Sequence, residues 1–301
     1  MKTIWLASYP KSGNTWLRLL LANYLVNDHK PVDINAMPVH DGIASGRLPF
    51  DNLLLIDSGL LTHDEIDRLR PRVYEALASG ATTGDDEPGV APVRFVKVHD
   101  AYISTSKAEP LLAGRKGADG AIVIVRDPRD IAPSLAGHNR STVDEAIAFM
   151  ENKDTGFCVA VTRQNNQFRQ KLQDWSGHVG SWLDQTDIPV HLVRYEDMTE
   201  DAGASLEGVL TFAGLEAAPD KVRRAVDFSK FGELRAQERE RGFREAPRPN
   251  PAGDFFRRGE AGAWRDELTT AQVARIEAGH AGMMRRLGYD AVITGARMST
   301  G

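Results

Sequence analysis

The sequence feature that most constrains the fold is the start of the chain, where an apolar segment, a short turn and a helical segment follow one another. Residues 3–8 are mostly apolar, as in a strand buried on both faces. In residues 15–26 the apolar side chains recur at helical spacing. The turn, residues 9–16, reads Y-P-K-S-G-N-T-W. This arrangement predicts an anion-binding turn, because free N–H groups and the helix dipole favour negative charge there.

The side chains of this turn add polar groups to the backbone. Lys11 supplies a mobile positive charge, and Ser12, Asn14 and Thr15 supply neutral hydrogen-bond donors. The order is not that of the nucleotide-kinase loop G-x-x-x-x-G-K-[ST], because the lysine precedes the single glycine, Gly13. An ordinary strand-to-helix turn with its aromatic residue in the core is the alternative.

Three further segments resemble buried strands, and helical patterns separate them. The strand segments are 93–98, 121–125 and 188–193. The predicted helices are 64–78 with Thr62 as N-cap, 144–150, 157–183, 202–212 and 270–287. Alternating strands and helices predict the α/β class with a doubly wound parallel sheet. Ligands in such sheets bind beyond the C-terminal ends of the strands.

Composition limits the kinds of partner. The chain has 301 residues and a formal net charge of −5, so we expect no general binding to nucleic acid or to an anionic membrane. The single cysteine, Cys158, excludes an internal disulfide and multi-cysteine metal sites, and we expect it to be a buried helix residue. We find no signal peptide, no membrane span and no dividing linker. We therefore expect one cytoplasmic domain over residues 1–301.

A second candidate anion site follows the strand segment that ends at residue 125. Residues 126–134 read R-D-P-R-D-I-A-P-S. Asp127 suits a helix N-cap, and a proline follows it in the first turn. Arg126 and Ser134, about two helical turns apart, can bind one phosphate together. The alternative is a surface network of arginine and aspartate, which we expect for Arg129 with Asp130.

A third candidate segment, residues 256–265, reads F-R-R-G-E-A-G-A-W-R. Arg257 and Arg258 are adjacent cations, and Gly259 allows a close approach of backbone to an anion. A basic turn on a solvated face is the alternative.

Together the three segments resemble those of sulfotransferases that use 3′-phosphoadenosine 5′-phosphosulfate (PAPS). That family has Y-P-K-S-G-T-T-W, R-[DN]-P-x-D-x-x-x-S and R-K-G-x-x-G-D-W in this order. This chain departs at Asn14, Arg258 and Ala263. The resemblance implies one domain of the P-loop-kinase-like sulfotransferase fold, with helices around a central parallel sheet, that binds PAPS and its product PAP. The implied cofactor-binding residues are Lys11, Ser12, Gly13, Asn14, Thr15, Trp16, Arg126, Ser134, Tyr195, Phe228, Arg257, Arg258 and Gly259.

The resemblance also implies how the nucleoside is held. Trp16 would stack on adenine. Residues 226–231, V-D-F-S-K-F, resemble the family's T-S-F-x-x-M, which would make Phe228 the opposite wall. Residues 195–197 match the family's Y-E-D, so Tyr195 is expected near the 3′-phosphate, with Glu196 and Asp197 structural.

The segment K-V-H at residues 97–99 supplies the catalytic candidates. Period-two strand geometry places Lys97 and His99 on the same side. Sulfuryl transfer to a hydroxyl needs a base and nearby cations, which His99, Lys97 and Lys11 can provide. The segment resembles the family's K-[TS]-H, in which the histidine is the base. His138, four residues after Ser134, is the reserve candidate for the base.

The function predicted is therefore sulfuryl transfer from PAPS, without a metal, to the hydroxyl or amine of a small organic acceptor. The alternatives are a P-loop-type kinase that uses ATP and Mg²⁺ and a non-catalytic PAP- or nucleotide-binding regulator. We expect the acceptor pocket to use residues 40–60, 101–106, 139–155 and 237–253, and the last of these to be a loop that moves or orders on binding.

The oligomeric state is left open by the sequence. The family's dimer segment K-x-x-x-T-V-x-x-x-E is only partly present at residues 265–274, because Thr270 replaces the valine and Ala274 the glutamate. We expect that this segment does not form the family's dimer contact.

Overall fold

The computed structural model describes residues 1–37, 40–80, 93–162, 165–246 and 255–292. The strands are β1 (Lys2–Ser8), β2 (His40–Ile43), β3 (Val93–Val98), β4 (Gly120–Val125), β5 (Gly156–Phe157), β6 (Gln170–Lys171) and β7 (Val190–Arg194). The helices are α1 (Asn14–Val26), α2 (Arg47–Leu54), α3 (His63–Ala78), α4 (Pro128–Asn139), α5 (Val143–Glu151), α6 (Trp175–Asp184), α7 (Tyr195–Glu200), α8 (Ala202–Ala213), α9 (Pro219–Phe228), α10 (Phe231–Arg241), α11 (Trp264–Glu267) and α12 (Thr270–Arg286).

The main sheet has five parallel strands in the order β2-β3-β1-β4-β7. The central strand β1 pairs on both sides, with Leu6 opposite Lys97 of β3 and Ile122 of β4. The predicted α/β class and parallel sheet are confirmed, and the four predicted strands correspond to β1, β3, β4 and β7. Strand β2 was not predicted, because its sequence, H-D-G-I, has little strand character.

The core forms a layer on each face of the sheet. Alternate residues of β1 enter different clusters, with Trp5 on one face and Leu6 on the other. Helices α4, α6 and α12 cover the first face, and α1, α8 and α9 cover the second. Every residue of β4 is buried, as its apolar run predicts. No helix of the described residues has the length and apolar content needed to span a bilayer.

The helix predicted over residues 157–183 is wrong. Residues of β5 and β6 form a two-stranded antiparallel pair, and α6 begins only at Trp175, after the N-cap Asp174. Cys158 therefore lies outside any helix, half-buried and with a φ of 55°. The physical reason is the Q-N-N-Q stretch at residues 164–167, because asparagine side chains bond the backbone and disfavour helix interiors.

The other helix predictions agree with the structure. Thr62 is the N-cap of α3 and forms a capping box with Glu65. Helices α5, α8 and α12 cover the remaining predicted segments. The segment 237–253 is not wholly a loop, because α10 continues to Arg241. Residues 247–253 of that segment lie outside the described residues.

Candidate active site

A cavity of about 540 Å³ lies at the C-terminal edge of the sheet. The turn after β1 supplies Lys11, and the end of β3 supplies Lys97 and His99. Arg126 follows β4 directly, and Tyr195 follows β7. Adjacent parallel strands end at the same edge, so these side chains, distant in sequence, line one space.

The cavity contains most of the predicted site residues. From that set it is lined by Lys11, Gly13, Asn14, Thr15, Trp16, Lys97, His99, Arg126, Ser134, Tyr195, Arg257, Arg258 and Gly259. Ser12 and Phe228 are not among the lining residues. The hydroxyl oxygen of Ser12 is buried and has no hydrogen-bond partner among the described residues.

Gly13 shapes the turn between β1 and α1. It is the N-cap of α1 with a φ of 101°, and its carbonyl accepts hydrogen bonds from the N–H groups of Trp16 and Leu17. A Cβ at this position would lie 2.5 Å from Cδ2 of Tyr195. Both the backbone angle and the approach of the tyrosine ring therefore require glycine.

The side chain of Asn14 faces β1 rather than an anion. Its amide nitrogen donates to the carbonyl of Leu6 at 2.9 Å and contacts the hydroxyl of Ser8 at 3.2 Å. Both side-chain donors are thereby used to brace the start of α1, which differs from the role expected for them. Only the backbone N–H of Asn14 is left to meet a ligand.

Lys11 is half-buried, with its Nζ 4.0 Å from the ring centroid of Phe255. Burial lowers the pKa of Lys11 to about 7, and the positive charges of Lys97 and Arg126 add to that effect. A lysine with this pKa gains a full charge when an anion binds beside it.

His99 is held in one tautomer. Its Nδ1 lies 2.8 Å from the carbonyl oxygen of Ser8. A carbonyl only accepts, so Nδ1 carries the proton and Nε2 keeps its lone pair. None of the hydrogen bonds among the described residues engages Nε2. Burial, followed by the charge of Lys97, lowers the pKa of His99 well below 6.5, so the imidazole is neutral at pH 7.

Lys97 is paired within the chain, which the sequence did not predict. Its Nζ lies 3.0 Å from Oε2 of Glu245, and Arg18 lies 2.7 Å from Oε1 of the same carboxylate. Although burial opposes ionisation of Glu245, the charges of Lys97 and Arg18 lower its pKa to about 2. Glu245 is therefore an anion at the site and neutralises part of its positive charge.

Arg126 spans two of the anion-binding segments. Its guanidinium donates to the carbonyl of Lys11 at 3.3 Å and to that of Glu260 at 3.1 Å. It also lies 4.2 Å from the ring centroid of Tyr195. As predicted, Asp127 caps α4, accepting from the N–H of Arg129 at 2.9 Å. Ser134, on the same helix, lines the cavity.

The expected surface network of Arg129 and Asp130 is wrong, because both residues are buried and they do not pair with each other. Arg129 binds Asp127 at 2.7 Å and Glu277 at 2.6 Å. The Asp130 carboxylate accepts from the N–H groups of Gly262 and Trp264, at 2.7 and 2.8 Å. Asp130 thereby ties the third segment, residues 256–265, to α4. The sequence spacing carries no signal of this contact.

Glu196 is structural, as expected. Its carboxylate accepts from the N–H of Asp127 at 3.0 Å and from the Tyr289 hydroxyl at 2.8 Å. These bonds join the start of α7 to the start of α4, which places Tyr195 beside Arg126.

The two adjacent arginines of the third segment already have a carboxylate partner. Arg257 makes a two-pronged contact with Glu267 at 2.7 and 2.8 Å, and Arg258 lies 3.1 Å from the same carboxylate. Gly259 has a φ of 72°, and a Cβ there would collide with the ring of Phe231. The segment is therefore shaped for close packing at the cavity wall.

Three phenylalanines of the cavity were missed by sequence reasoning. Phe231, Phe255 and Phe256 line it, whereas Phe228 does not. Trp16 lies on the same side, and its Nε1 donates to the carbonyl of Ser229 at 3.0 Å. The pair at 255–256 could have been found, because it directly precedes the two arginines.

The predicted acceptor segments contribute unevenly. Segment 40–60 contributes Gly42 and Ile43 to the cavity lining and segment 237–253 contributes Arg244 and Glu245, whereas no residue of 101–106 or 139–155 is among the lining residues. His138 and Phe157, just outside these segments, also line the cavity, and their rings are 6.2 Å apart. Burial lowers the pKa of His138 to about 4. By contrast, Leu48 is 70% exposed and Phe50 packs in a separate cluster. In the part of the chain that the structure describes, no group of three or more His, Cys, Asp or Glu side chains could hold a metal ion.

Comparison with known proteins places this site in a family. The sequence profile described as "Sulfotransferase domain" matches residues 120–288, more than half of the chain. Sulfotransferase 2B1 of Homo sapiens is 21% identical over 285 residues, 94% of this chain and 66% of that protein. Sulfotransferase 1A1 of Canis lupus familiaris is 27% identical over 292 residues, 94% of this chain and 83% of that protein. The chain thus spans about two thirds of the human relative's length.

Solved structures share the fold. Mouse sulfotransferase SULT7A1 complexed with PAP has a TM-score of 0.57 and 19% identity, covering 94% of this chain and 85% of that one. Retinol dehydratase in complex with androsterone and PAP has a TM-score of 0.58 and 18% identity, covering 99% of this chain and 84% of that one. Because the family profile extends over more than half of its length, this chain belongs to the sulfotransferase domain family.

Proposed function

We propose that the cavity binds PAPS and that the enzyme transfers its sulfuryl group to the hydroxyl of a small organic acceptor. Family membership makes the chain a sulfuryl-transferring enzyme. The observation that carries the proposal further is the position of His99, which lines the same cavity as Lys11 and Arg126 and whose Nε2 is unprotonated. A neutral base, cations and a glycine-shaped turn are the groups that this reaction needs.

The residues present fit the donor nucleotide. The turn at residues 11–16 would hold the 5′-phosphosulfate with backbone N–H groups at the start of α1. Arg126 and Ser134 would hold the 3′-phosphate. Trp16 and Phe231 provide aromatic surface on which the adenine ring could stack. This supports Phe231, rather than Phe228, as the residue that packs on the adenine opposite Trp16. PAPS, when bound, supplies the sulfuryl group.

The chain's own residues would then act on charge and protons. His99 would take the proton of the acceptor hydroxyl on Nε2, while the Ser8 carbonyl holds Nδ1–H. Lys11 would stabilise the negative charge that develops on the departing phosphate oxygen. Lys97 could do the same for the sulfuryl group once it exchanges Glu245 for the ligand.

The acceptor would enter beside His99, where Ile43, His138 and Phe157 line the cavity. This mixture of apolar and polar groups fits a small or medium organic molecule with a hydroxyl group or an amine. Retinol dehydratase, a structural neighbour, was crystallised with androsterone.

We propose that residues 1–301 form one domain, that the reaction needs no metal, that nucleic acid is not a partner, and that the enzyme works in the cytoplasm. Cytosolic sulfotransferases of Danio rerio and Arabidopsis thaliana are among the relatives. A kinase and a non-catalytic regulator are not favoured, because the G-x-x-x-x-G-K-[ST] loop is absent and binding alone needs no base.

The test is transfer of ³⁵S from labelled PAPS to a panel of phenols, alcohols and amines, with and without EDTA. We expect a labelled product whose rate does not change with EDTA. Phosphate transfer from ATP that needs Mg²⁺ would support the kinase instead. Tight PAP binding without transfer to any acceptor would support the regulator.

A further inference from the structure

His178 contacts two parts of the site although it lines no part of the cavity. It lies on α6 and is 0% exposed. Its Nε2 is 3.1 Å from the backbone oxygen of His99, and its ring packs edge-on against Tyr9 at 5.4 Å. Because a carbonyl only accepts, Nε2 of His178 carries the proton. One side chain thus joins the peptide of His99 to the first residue of the turn 9–16.

The backbone at His99 needs such a partner. Strand β3 ends at Val98, so the carbonyl of His99 lies beyond the sheet's hydrogen-bond ladder, and a buried carbonyl requires a donor. Helix α6 supplies donors in succession: His178 bonds the oxygen of His99, and Nε1 of Trp182 bonds that of Asp100 at 3.1 Å. Beyond the end of β3, side chains of α6 thus supply the hydrogen-bond donors that a neighbouring strand would supply within the sheet.

The ring of His99 is held separately. Its Nδ1 donates to the carbonyl of Ser8 in β1 at 2.8 Å. The ring of His99 is bound to β1 and its backbone is bound to His178, so these two contacts together determine the direction in which Nε2 of His99 points. A displacement of about 1 Å at a reacting group can lower a rate by roughly 10²-fold.

Packing alone does not account for a histidine at this place. Nδ1 of His178 is buried and has no hydrogen-bond partner among the described residues. A leucine would fill the space without an unpaired polar atom, which is costly to bury. Burial also lowers the pKa of His178 to about 4, so the ring stays neutral. The useful feature of histidine here is its Nε2–H.

We propose that His178 is a positioning residue for sulfuryl transfer: its Nε2–H holds the carbonyl of His99 and so aims the base at the acceptor hydroxyl. This inference rests on the proposed function of His99 as general base.

The experiment compares His178→Leu, which removes the donor, with His178→Gln, whose amide can still donate. The control is His280→Leu. His280 is a second buried histidine, 2.9 Å from the hydroxyl of Ser176 and outside the cavity. ³⁵S transfer is measured with 4-nitrophenol and with the best alcohol found for the wild type, and PAP affinity is measured in parallel.

We expect His178→Leu to lower kcat on the alcohol about tenfold or more, with KM and PAP affinity nearly unchanged, and to lower it less on 4-nitrophenol, whose proton leaves readily. His178→Gln should restore most of kcat. His280→Leu should lower the melting temperature without changing the ratio of alcohol to phenol rates. Equal losses on both acceptors, or an unchanged kcat, would overturn the proposal. A wild type that transfers no sulfuryl group would instead reject the proposed function.

A second measurement does not depend on an acceptor. In protein labelled with ¹⁵N-histidine and saturated with PAP, the wild type should show one set of ring signals for His99. In His178→Leu these signals should shift or multiply, because the backbone that carries the ring has lost its donor. If His178→Leu does not fold, His178→Asn takes its place, because its shorter amide cannot reach the carbonyl. Unchanged ring signals of His99 in the variant without a donor would overturn the proposal.

Discussion

Nζ of Lys97 lies 3.0 Å from the carboxylate of Glu245, so a lysine expected to meet the sulfuryl group is already paired within the chain. Arg18 binds the other carboxylate oxygen at 2.7 Å. Glu245 lies after α10 and Lys97 lies in β3, and both line the cavity, so their ion pair connects two separate parts of the cavity wall. An anionic ligand must therefore compete with Glu245 for these cations.

Glu245→Gln should strengthen PAP binding. Two unit charges about 10 Å apart interact strongly enough, at an effective dielectric constant of about 20, to change an affinity roughly tenfold, so we expect a change of this order. Isothermal titration calorimetry at low salt measures the change. Glu240→Gln, at the exposed penultimate residue of α10, serves as the control with the same charge change. Weaker binding by Glu245→Gln would mean that the carboxylate organises the site.

PAP affinity should fall as the pH rises above about 7. The pKa of Lys11 is lowered to about 7, so the free protein loses this cation as the pH rises through that value, while bound phosphate favours the charged form. Binding at pH 8 should take up about one proton, and affinity should drop by about tenfold per pH unit. Titrations in two buffers of different ionisation enthalpy count the protons. Lys11→Arg should abolish both effects, and their persistence would assign them to another group.

Arg126→Ala should weaken binding of PAP more than that of 5′-AMP, which lacks the 3′-phosphate. Loss of a charged hydrogen-bonded contact costs about 1.5–3 kcal/mol. The two affinities are compared for the variant and the wild type, with exposed Arg72→Ala as control. Equal losses for the two nucleotides would show that Arg126 does not hold the 3′-phosphate.

His99→Ala should nearly abolish transfer to an alcohol and leave PAP affinity intact. Loss of a general base typically lowers a rate by about 10²–10⁴-fold. An acidic phenol gives up its proton more readily, so transfer to 4-nitrophenol should fall less. Rates on both acceptors with saturating PAPS provide the comparison. An unchanged rate on the alcohol would shift the role of base to His138.

Gly13→Ala should destabilise the protein more than Gly288→Ala. Both glycines have positive φ, which costs alanine about 1–2 kcal/mol. Only at Gly13 would the new Cβ also meet a ring, that of Tyr195, whereas nothing lies within 4 Å at Gly288. Overpacking of this kind adds about 1–3 kcal/mol. Thermal unfolding of the two variants measures the difference, and equal shifts would mean that the tyrosine moves away freely.

Local physics explains why much of the fold was predictable from the sequence. The apolar runs of β1, β3 and β4 are buried almost throughout, so composition alone marks them as strands of a parallel sheet. Strand β7, at the edge of the sheet, is only partly buried, and its β-branched residues are what marked it as a strand. The turn at residues 9–16 and the helix start at Asp127 are local features. Each requires a residue type that suits its backbone conformation, such as Gly13 in the turn, and the sequence shows that residue directly. Because parallel strands end at one edge, the sequence also predicted that Lys11, His99 and Arg126 would meet.

Tertiary structure decided which of those groups are free. The sequence cannot show that Glu245 pairs with Lys97 or that Glu267 takes Arg257, because such contacts join residues far apart in the chain. Nor can it show that the amide of Asn14 turns back to β1. Long-range pairing depends on how helices pack on the sheet, and the same packing sets the desolvation that lowers the pKa values of Lys11 and His99. The sequence thus determined four strands of the main sheet, the turn and the kinds of chemical group, and only the packed structure decided their partners and charges.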